Sequence, residues 1–328
     1  MPATLTIITC TRNPRPDVLA RVIAGVAGLR VPAAYEREYL LIDSASDPPL
    51  RSLPVVAAFL ARSPWARVVR VEEPGIARAR RAGLGAALGE LLVWFDDDNV
   101  PASDYLEHVA VTAAAHPGVE VWGAGRIKVE FVDPVPTWVD PAMRPLFQER
   151  AHAADEFGRA TAWAPYFPVG SGMVTRHGAL ARWVGAVTEG RFTLTGRLGA
   201  SLASGDDAQI ILGAVAAGAS VGVVASQSLT HLIPASRCTL GYLVRLEYAL
   251  AASIRVARAE CFPDAALART REDVGVVRSA RTVLARWRRH GWREATLELA
   301  RRLGARRGAT LSSLSRRSTS PPGPPSTP

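Results

Sequence analysis

Short apolar runs alternating with helical patterns constrain this chain more than any other feature. The runs are "LTIITCT" (Leu5–Thr11), "YLLID" (Tyr39–Asp43), "ARVVRV" (Ala66–Val71), "ELLVWFD" (Glu90–Asp96) and "GVEVWGAG" (Gly118–Gly125). Helical patterns fill the gaps at Pro16–Leu29, Leu53–Arg62, Gly75–Leu88 and Ser103–His116. Strands that alternate with helices predict an α/β fold with a mostly parallel, Rossmann-like sheet and right-handed crossovers. Ligands of such sheets sit outside the carboxyl ends of the strands. Polar residues gather at those ends, at Thr9 to Asn13, Asp43 to Asp47 and Asp96 to Asn99. All are expected to face one crevice.

The fourth run ends abruptly in charge, as "LLVWFDDDNVP". Three consecutive carboxylates at the exit of a buried strand repel one another unless something positive binds there. Hard oxygen ligands suit Mg²⁺ or Mn²⁺, which take one or two carboxylates plus substrate phosphates. An acidic turn on a solvated rim is the plainer alternative for Asp96, Asp97 and Asp98. A second acidic pair, Asp206-Asp207 in "SGDDAQI", opens a helical pattern. Helix capping, by Ser204 or Asp206, is the plainer reading there; it accounts for one aspartate, and the second, Asp207, is open to another role, such as a general base for a hydroxyl. His231, a few residues past the strand-like "SVGVVA", reads either as an extra metal ligand or as a surface histidine. Arg237 faces a phosphate or the solvent. Arg78, Arg80 and Arg81 open the helix before the acidic strand and read either as a solvated helix face or as a phosphate or loop contact, since the helix start is expected to point at the crevice. The glycines of that helix are not a phosphate-binding loop, because no "GKS" or "GKT" follows.

Beyond Lys128 the pattern loosens. "VEFVDPVPTWVDPAMRPLF" reads as an inserted loop or flap, and "FPVGSGMVTR" as a tight glycine turn entering a strand. In "TLGYLVRLEYALAASIRVARAE" a helix is expected to bury Leu243, Leu246, Leu250 and Ile254. Residues 269–328 hold 14 arginines against four acids, so the net charge of +9 belongs to the C-terminal end. The expected divisions are a catalytic domain over 1–265, a basic amphipathic helical extension over 266–310 and a disordered Ser/Pro-rich tail over 311–328. Three scattered cysteines form neither a disulfide framework nor a zinc spacing. No stretch approaches the ~20 apolar residues of a membrane span, and the first residues lack a signal-peptide pattern. A cytoplasmic protein is expected.

The motifs "TCTRN", "LIDSASD", "PGIARARRAGL", "VWFDDDNVP", "VGSGM" and "SGDDAQI", in this order, resemble the inverting glycosyltransferases of family 2, which have the GT-A fold. The resemblance covers roughly residues 4–235. It implies a nucleotide pocket lined by Thr9, Thr11 and Arg12, and a base contact from Asp43. Arg80 matches the arginine of the family's "ARN" turn, with Arg81 in place of the usual Asn. Asp96 and Asp98 match the D-x-D pair, Asp98 as the direct metal ligand and Asp96 near the ribose. Asp97 stands with Asp96 on the donor side. Gly170, Ser171 and Gly172 match the turn beneath sugar and acceptor, which Asp206 borders. Asp207 matches the catalytic base, with "GDD" replacing the commoner "GED", and His231 the late histidine that ligates metal in some members. The "QxxRW" of processive synthases is absent, which implies addition of one sugar at a time.

The resemblance therefore implies a metal-dependent transfer from a nucleotide-diphosphate sugar, a UDP-sugar by default, to a sugar or lipid-linked acceptor. The product would be a polysaccharide, glycolipid or glycoside. A nucleotidyltransferase acting on sugar phosphates is the competing enzyme class, but "TCTRNPRPD" lacks its glycine-rich basic loop. A nucleic-acid-binding protein is the competing non-enzyme, disfavoured because the arginines are confined to one end without a recognisable binding motif. That end, with Val283, Leu284 and Trp287 near one face, is expected to rest peripherally on the inner face of a membrane. A solvated or core-docked helix is the alternative.

Overall fold

A computed structural model describes residues 2–139, 141–194, 196, 205–264 and 276–319. Strand β1 (Ala3–Thr11) lies at the centre of four parallel strands. On one side are β2 (Tyr35–Ser44) and then β3 (Ala66–Val71); on the other is β4 (Leu91–Trp94). β1, β4 and the second half of β2 read as apolar runs because both faces are covered, whereas β3, at the edge, keeps Arg67 and Arg70 exposed. Leu5 and Ile7 of β1 pack under α1 (Pro16–Ala27) and α2 (Pro54–Arg62). Ile8, the next residue along the strand, faces the opposite layer with Ala79 of α3 (Ile76–Ala86).

Past β4 the sheet changes character. The strand beside it is not β5 (Asn99–Pro101), which sits at the far edge. Helix α4 (Tyr105–Ala115) leads into β6 (Val119–Phe131), and the short β7 (Arg150–Ala151) and β8 (Glu156–Gly158) attach to β6 and to the last strand. Only then does β9 (Met173–Arg176) insert, antiparallel, between β4 and β6. Helices α5 (His177–Thr188) and α6 (Asp206–Ala216) cover the second face, and β10 (Ser220–Ile233) runs parallel to β6. The α/β class and mostly parallel sheet therefore match the expectation.

Several boundaries differ, each for a physical reason. β10 extends well past Ala225, so His231 lies within a strand rather than after one. A register shift between Val224 and Ser228 breaks the alternation there and hides the continuation. Gly205, not Asp206, takes the N-cap position of α6, and Asp206 is the first helical residue. Ser204 lies outside the described residues. The segment read as a flap is packed: Val139, Met143 and Phe147 are buried, the last two in a 3₁₀ stretch, Pro141–Phe147.

Helix α7 (Leu240–Cys261) starts at Thr239, whose hydroxyl oxygen accepts from the Tyr242 N–H at 3.2 Å. Leu243 and Leu246 are buried as expected, but Leu250 and Ile254 are only half-buried, and Ser253, Val256 and Ala257 take the core side instead. The C-terminal end supplies part of that cover. Helices α8 (Val276–His290) and α9 (Trp292–Thr319) meet at Gly291, and α9 lies along α7. Leu297 shares a small core with Leu243, Leu246, Val139 and Phe147, and Arg301 pairs with Glu247. α9 also runs past residue 310, so the stretch to Thr319 is helical where a disordered tail was expected; 320–328 lie outside the described residues.

Gly304 and Gly308 sit one turn apart where α9 meets α7. A Cβ at either would overlap the carbonyl oxygen of Tyr248 or Ala252. Gly304→Leu or Gly308→Leu should therefore destabilise the protein by about 1–3 kcal/mol, the usual range for overpacking. Gly185→Ala, on α5 with open space around it, should instead be neutral or stabilising by up to about 1 kcal/mol. Urea denaturation measures all three, and a native midpoint for both leucine variants would refute close packing at this seam.

Candidate active site

The carboxyl ends of β1 and β4 open on a crevice of about 180 Å³. The acidic triad leaves β4 in a turn closed by Asn99: the Asp96 N–H donates to Asn99 Oδ1 at 3.0 Å, and the Asn99 N–H to the Asp96 carbonyl at 3.1 Å. Asn99 then begins β5, which pairs with β10 so that Asn99 stands opposite His231. That register, with the Leu232 N–H donating to the Asp98 carbonyl at 2.8 Å, brings a histidine from far along the chain to the triad.

Each aspartate has a distinct environment. Asp96 Oδ2 accepts from the Ser171 hydroxyl at 3.2 Å. Asp97 accepts from the Thr11 hydroxyl, and burial, followed by the adjacent Asp98 charge, pushes its carboxyl up to about 7. Asp98 Oδ1 accepts from Asn99 Nδ2 at 3.0 Å, and Arg237 Nη1 lies 2.6 Å from Oδ2. Burial would raise the Asp98 carboxyl, yet the His231 and Arg237 charges hold it well below the carboxylate range.

His231 Nδ1 lies 2.9 Å from the Phe147 carbonyl oxygen. A carbonyl only accepts, so Nδ1 carries the proton and Nε2 of the neutral ring presents a lone pair. Nε2 faces Asp98 Oδ1 at 3.4 Å. Two acceptors facing each other require a proton or a cation between them. Burial opposes protonation of His231, but the Asp98 carboxylate outweighs it and raises the imidazole above its ordinary value.

Across the crevice, α6 presents the second acidic pair. Asp206 is buried against Arg80, with Nη1 3.0 Å from Oδ2 but without hydrogen-bond alignment. Arg80 also lies over the Trp94 ring at 5.7 Å. Asp207 is half-buried, and its Oδ1 accepts from the Ala208 N–H at 2.8 Å. Burial, then the Asp206 charge, raises its carboxyl. A Cβ at Gly170 would stand 3.4 Å from Asp207 Oδ2, so the glycine leaves that oxygen room.

Arg80, Asp96, Asp97, Asp98, Gly170, Asp206, Asp207 and His231 thus border one crevice. Thr11 and Ser171 join through their hydroxyls. Thr9 is fully buried in β1, and Arg12 is exposed at its exit; neither lines the crevice. Asp43 is also buried, where its carboxylate accepts from the Ser46 and Leu50 N–H groups at 2.8 and 3.0 Å and from Arg70 at 3.0 Å. Gly172 supports the turn rather than lining the crevice. Its φ is +70°, a side chain there would come within 2.5 Å of Leu229, and its carbonyl accepts from the Tyr105 hydroxyl.

Gln148 and Cys10 also line the crevice without having been singled out, and burial pushes the Cys10 thiol up to about 12. A larger cavity of about 480 Å³ between α5 and α6 lies away from the triad. Its half-buried Glu260 already accepts from Thr193 and Gln209.

The profile of "Glycosyl transferase family 2" matches residues 6–172, just over half of the sequence. The chain belongs to that family. It is a glycosyltransferase, and the matched stretch carries Arg80, the aspartate triad and the Gly170–Gly172 turn. Among solved structures, the mannosyltransferase PcManGT from Pyrobaculum calidifontis, in complex with GDP-Man and Mn²⁺, is similar in fold. It is 19% identical with a TM-score of 0.57, over 94% of this chain and 88% of that one. S. aureus TarS 1-349 in complex with UDP-GlcNAc is 15% identical with a TM-score of 0.49, over 96% and 92% of the two chains. No curated protein matches the sequence significantly. Among the described residues, no helix is long and apolar enough to cross a membrane.

Proposed function

We propose that this family 2 enzyme moves a single sugar, with inversion, from a nucleotide-diphosphate sugar to the hydroxyl of a sugar or lipid-linked acceptor. The observation that carries this is the meeting, in one crevice, of a half-buried carboxylate, Asp207, with the facing acceptor atoms of Asp98 and His231.

The donor set fits a divalent metal, Mn²⁺ or Mg²⁺. Among the described residues no three His, Cys, Asp or Glu side chains converge to cage an ion. Asp98 and His231 would therefore hold it with the donor's phosphates and water, the pattern such ions prefer. The Phe147 carbonyl fixes the imidazole in the tautomer a ligand needs. When bound, the ion would supply Lewis-acid neutralisation of charge on the departing diphosphate.

The remaining work falls to the chain's own side chains. Asp207 accepts the proton of the attacking hydroxyl, and burial, which raises its basicity, favours that transfer. Attack from the face opposite the leaving group inverts the anomeric carbon. Asp206 and Arg80 fix the start of α6 and so aim Asp207. Ser171 holds Asp96, and Thr11 holds Asp97, in orientations suited to the donor side of the crevice.

Turnover with UDP- and GDP-sugars, Mn²⁺ or Mg²⁺, and sugar and lipid-linked acceptors tests the assignment. Nucleoside diphosphate should be released with inverted anomeric configuration in the product. Release of pyrophosphate would point to nucleotidyl transfer instead, and a retained configuration would remove Asp207 from its role as base in a single displacement.

A further inference from the structure

Residues 276–319 contain twelve arginines, two glutamates and no lysine. Both acids are engaged internally: Glu294 lies 3.8 Å from Arg286, and Glu298 accepts from Arg301 and Arg302. Along α8, Ala280, Val283, Leu284 and Trp287 recur at the spacing of one helical stripe. By the same helical geometry Arg281 and Arg288 flank the stripe on one side and Arg286 on the other. The stripe opens onto a groove of about 540 Å³ shared with Trp292 and Leu299 of α9. Trp287 and Trp292 are 57% and 55% exposed. The opposite side of α9 is already buried against α7, so the hairpin turns its apolar side outward.

We propose that this outward face docks on the surface of an anionic lipid bilayer. Charge and shape both favour that occupant. The segment carries a net +10 (twelve arginines less two glutamates), and its arginines border an apolar stripe capped by two tryptophans. A leaflet of anionic phospholipid offers negative headgroups above hydrocarbon, which such a helix meets with its arginines at the headgroups and its apolar side chains below. Indole rings settle at that boundary. The other side of the hairpin holds it to the body of the protein: Arg293 lies over the Trp138 ring at 5.4 Å, and Leu297 packs with Phe147, whose carbonyl accepts from His231. The inference does not rest on the catalytic assignment.

Co-sedimentation of the full chain with two kinds of vesicle tests it, phosphatidylcholine alone and phosphatidylcholine mixed with phosphatidylglycerol. The mixed vesicles should capture the protein, and added salt should weaken capture. Leu284→Ser with Trp287→Ser should reduce the partition by at least about tenfold, given the apolar burial lost. Arg281→Gln and Arg288→Gln together should reduce it as well. Unchanged helix content by circular dichroism and unchanged nucleoside diphosphate affinity separate lost docking from lost folding or a lost active site. The proposal is overturned if the native chain stays in solution, or if the serine pair binds mixed vesicles as well as native. It is also overturned if double-stranded DNA or RNA holds the chain and only the arginine changes release it. Dissociation of a dimer by the serine pair, without vesicle binding, would give the face to a second copy instead.

Discussion

Asp207→Asn should slow sugar transfer by at least about a hundredfold while leaving donor affinity and melting temperature near native. The asparagine side-chain oxygen can still accept from the Ala208 N–H, so the start of α6 loses little. What it cannot do is take the proton of an attacking hydroxyl. The neighbouring acid provides the contrast. Asp206 is buried against Arg80, so Asp206→Asn leaves a buried guanidinium without its counter-charge. Loss of one partner of a buried pair typically destabilises by about 3–5 kcal/mol, and that variant should show a lowered melting temperature rather than a purely chemical defect. Single-turnover transfer rates beside thermal melts resolve the two. Transfer by Asp207→Asn at the native rate would assign the base elsewhere.

Asp98→Ala should abolish metal-dependent binding of the nucleoside diphosphate. The substitution removes the carboxylate that faces His231 Nε2 and strips Arg237 of its partner at 2.6 Å. The freed arginine can still attract phosphate, so weak binding should persist and should no longer respond to Mn²⁺. Calorimetry of the nucleoside diphosphate with and without Mn²⁺ measures this directly. Undiminished, metal-responsive affinity in the variant would remove Asp98 from the metal site.

The half of the fold built from β1 to β4 was legible because its inner strands are buried on both faces and all are bounded by turn residues, so local composition states the structure. The triad was legible for a related reason: carboxylates directly after Trp94 and Phe95 conflict with burial unless they serve a site. What could not be read depends on partners distant in the chain. β9 is only four residues long and enters between β4 and β6 after a long excursion. His231 reaches Asp98 through the register of β10 with β5, which no periodicity encodes. The Arg80–Asp206 pair joins groups the family pattern assigns to donor and acceptor, since both sit at helix starts that converge on one point. Arg237 had a signal, six residues after His231, but its partner among three aspartates was open. The Gly304–Gly308 seam resembles ordinary small-residue composition until α7 is placed against it.

The contact of α9 with α7 bears on where this enzyme can be divided. Cutting the chain at 265 follows the composition, yet it would uncover Leu243 and Leu246 and leave Glu247 without Arg301. The same small core contains Phe147, whose carbonyl orients His231. Truncation would thus loosen the imidazole from behind. The arginine-rich end buttresses the wall of the crevice, and a chain cut short at 265 would lack that support.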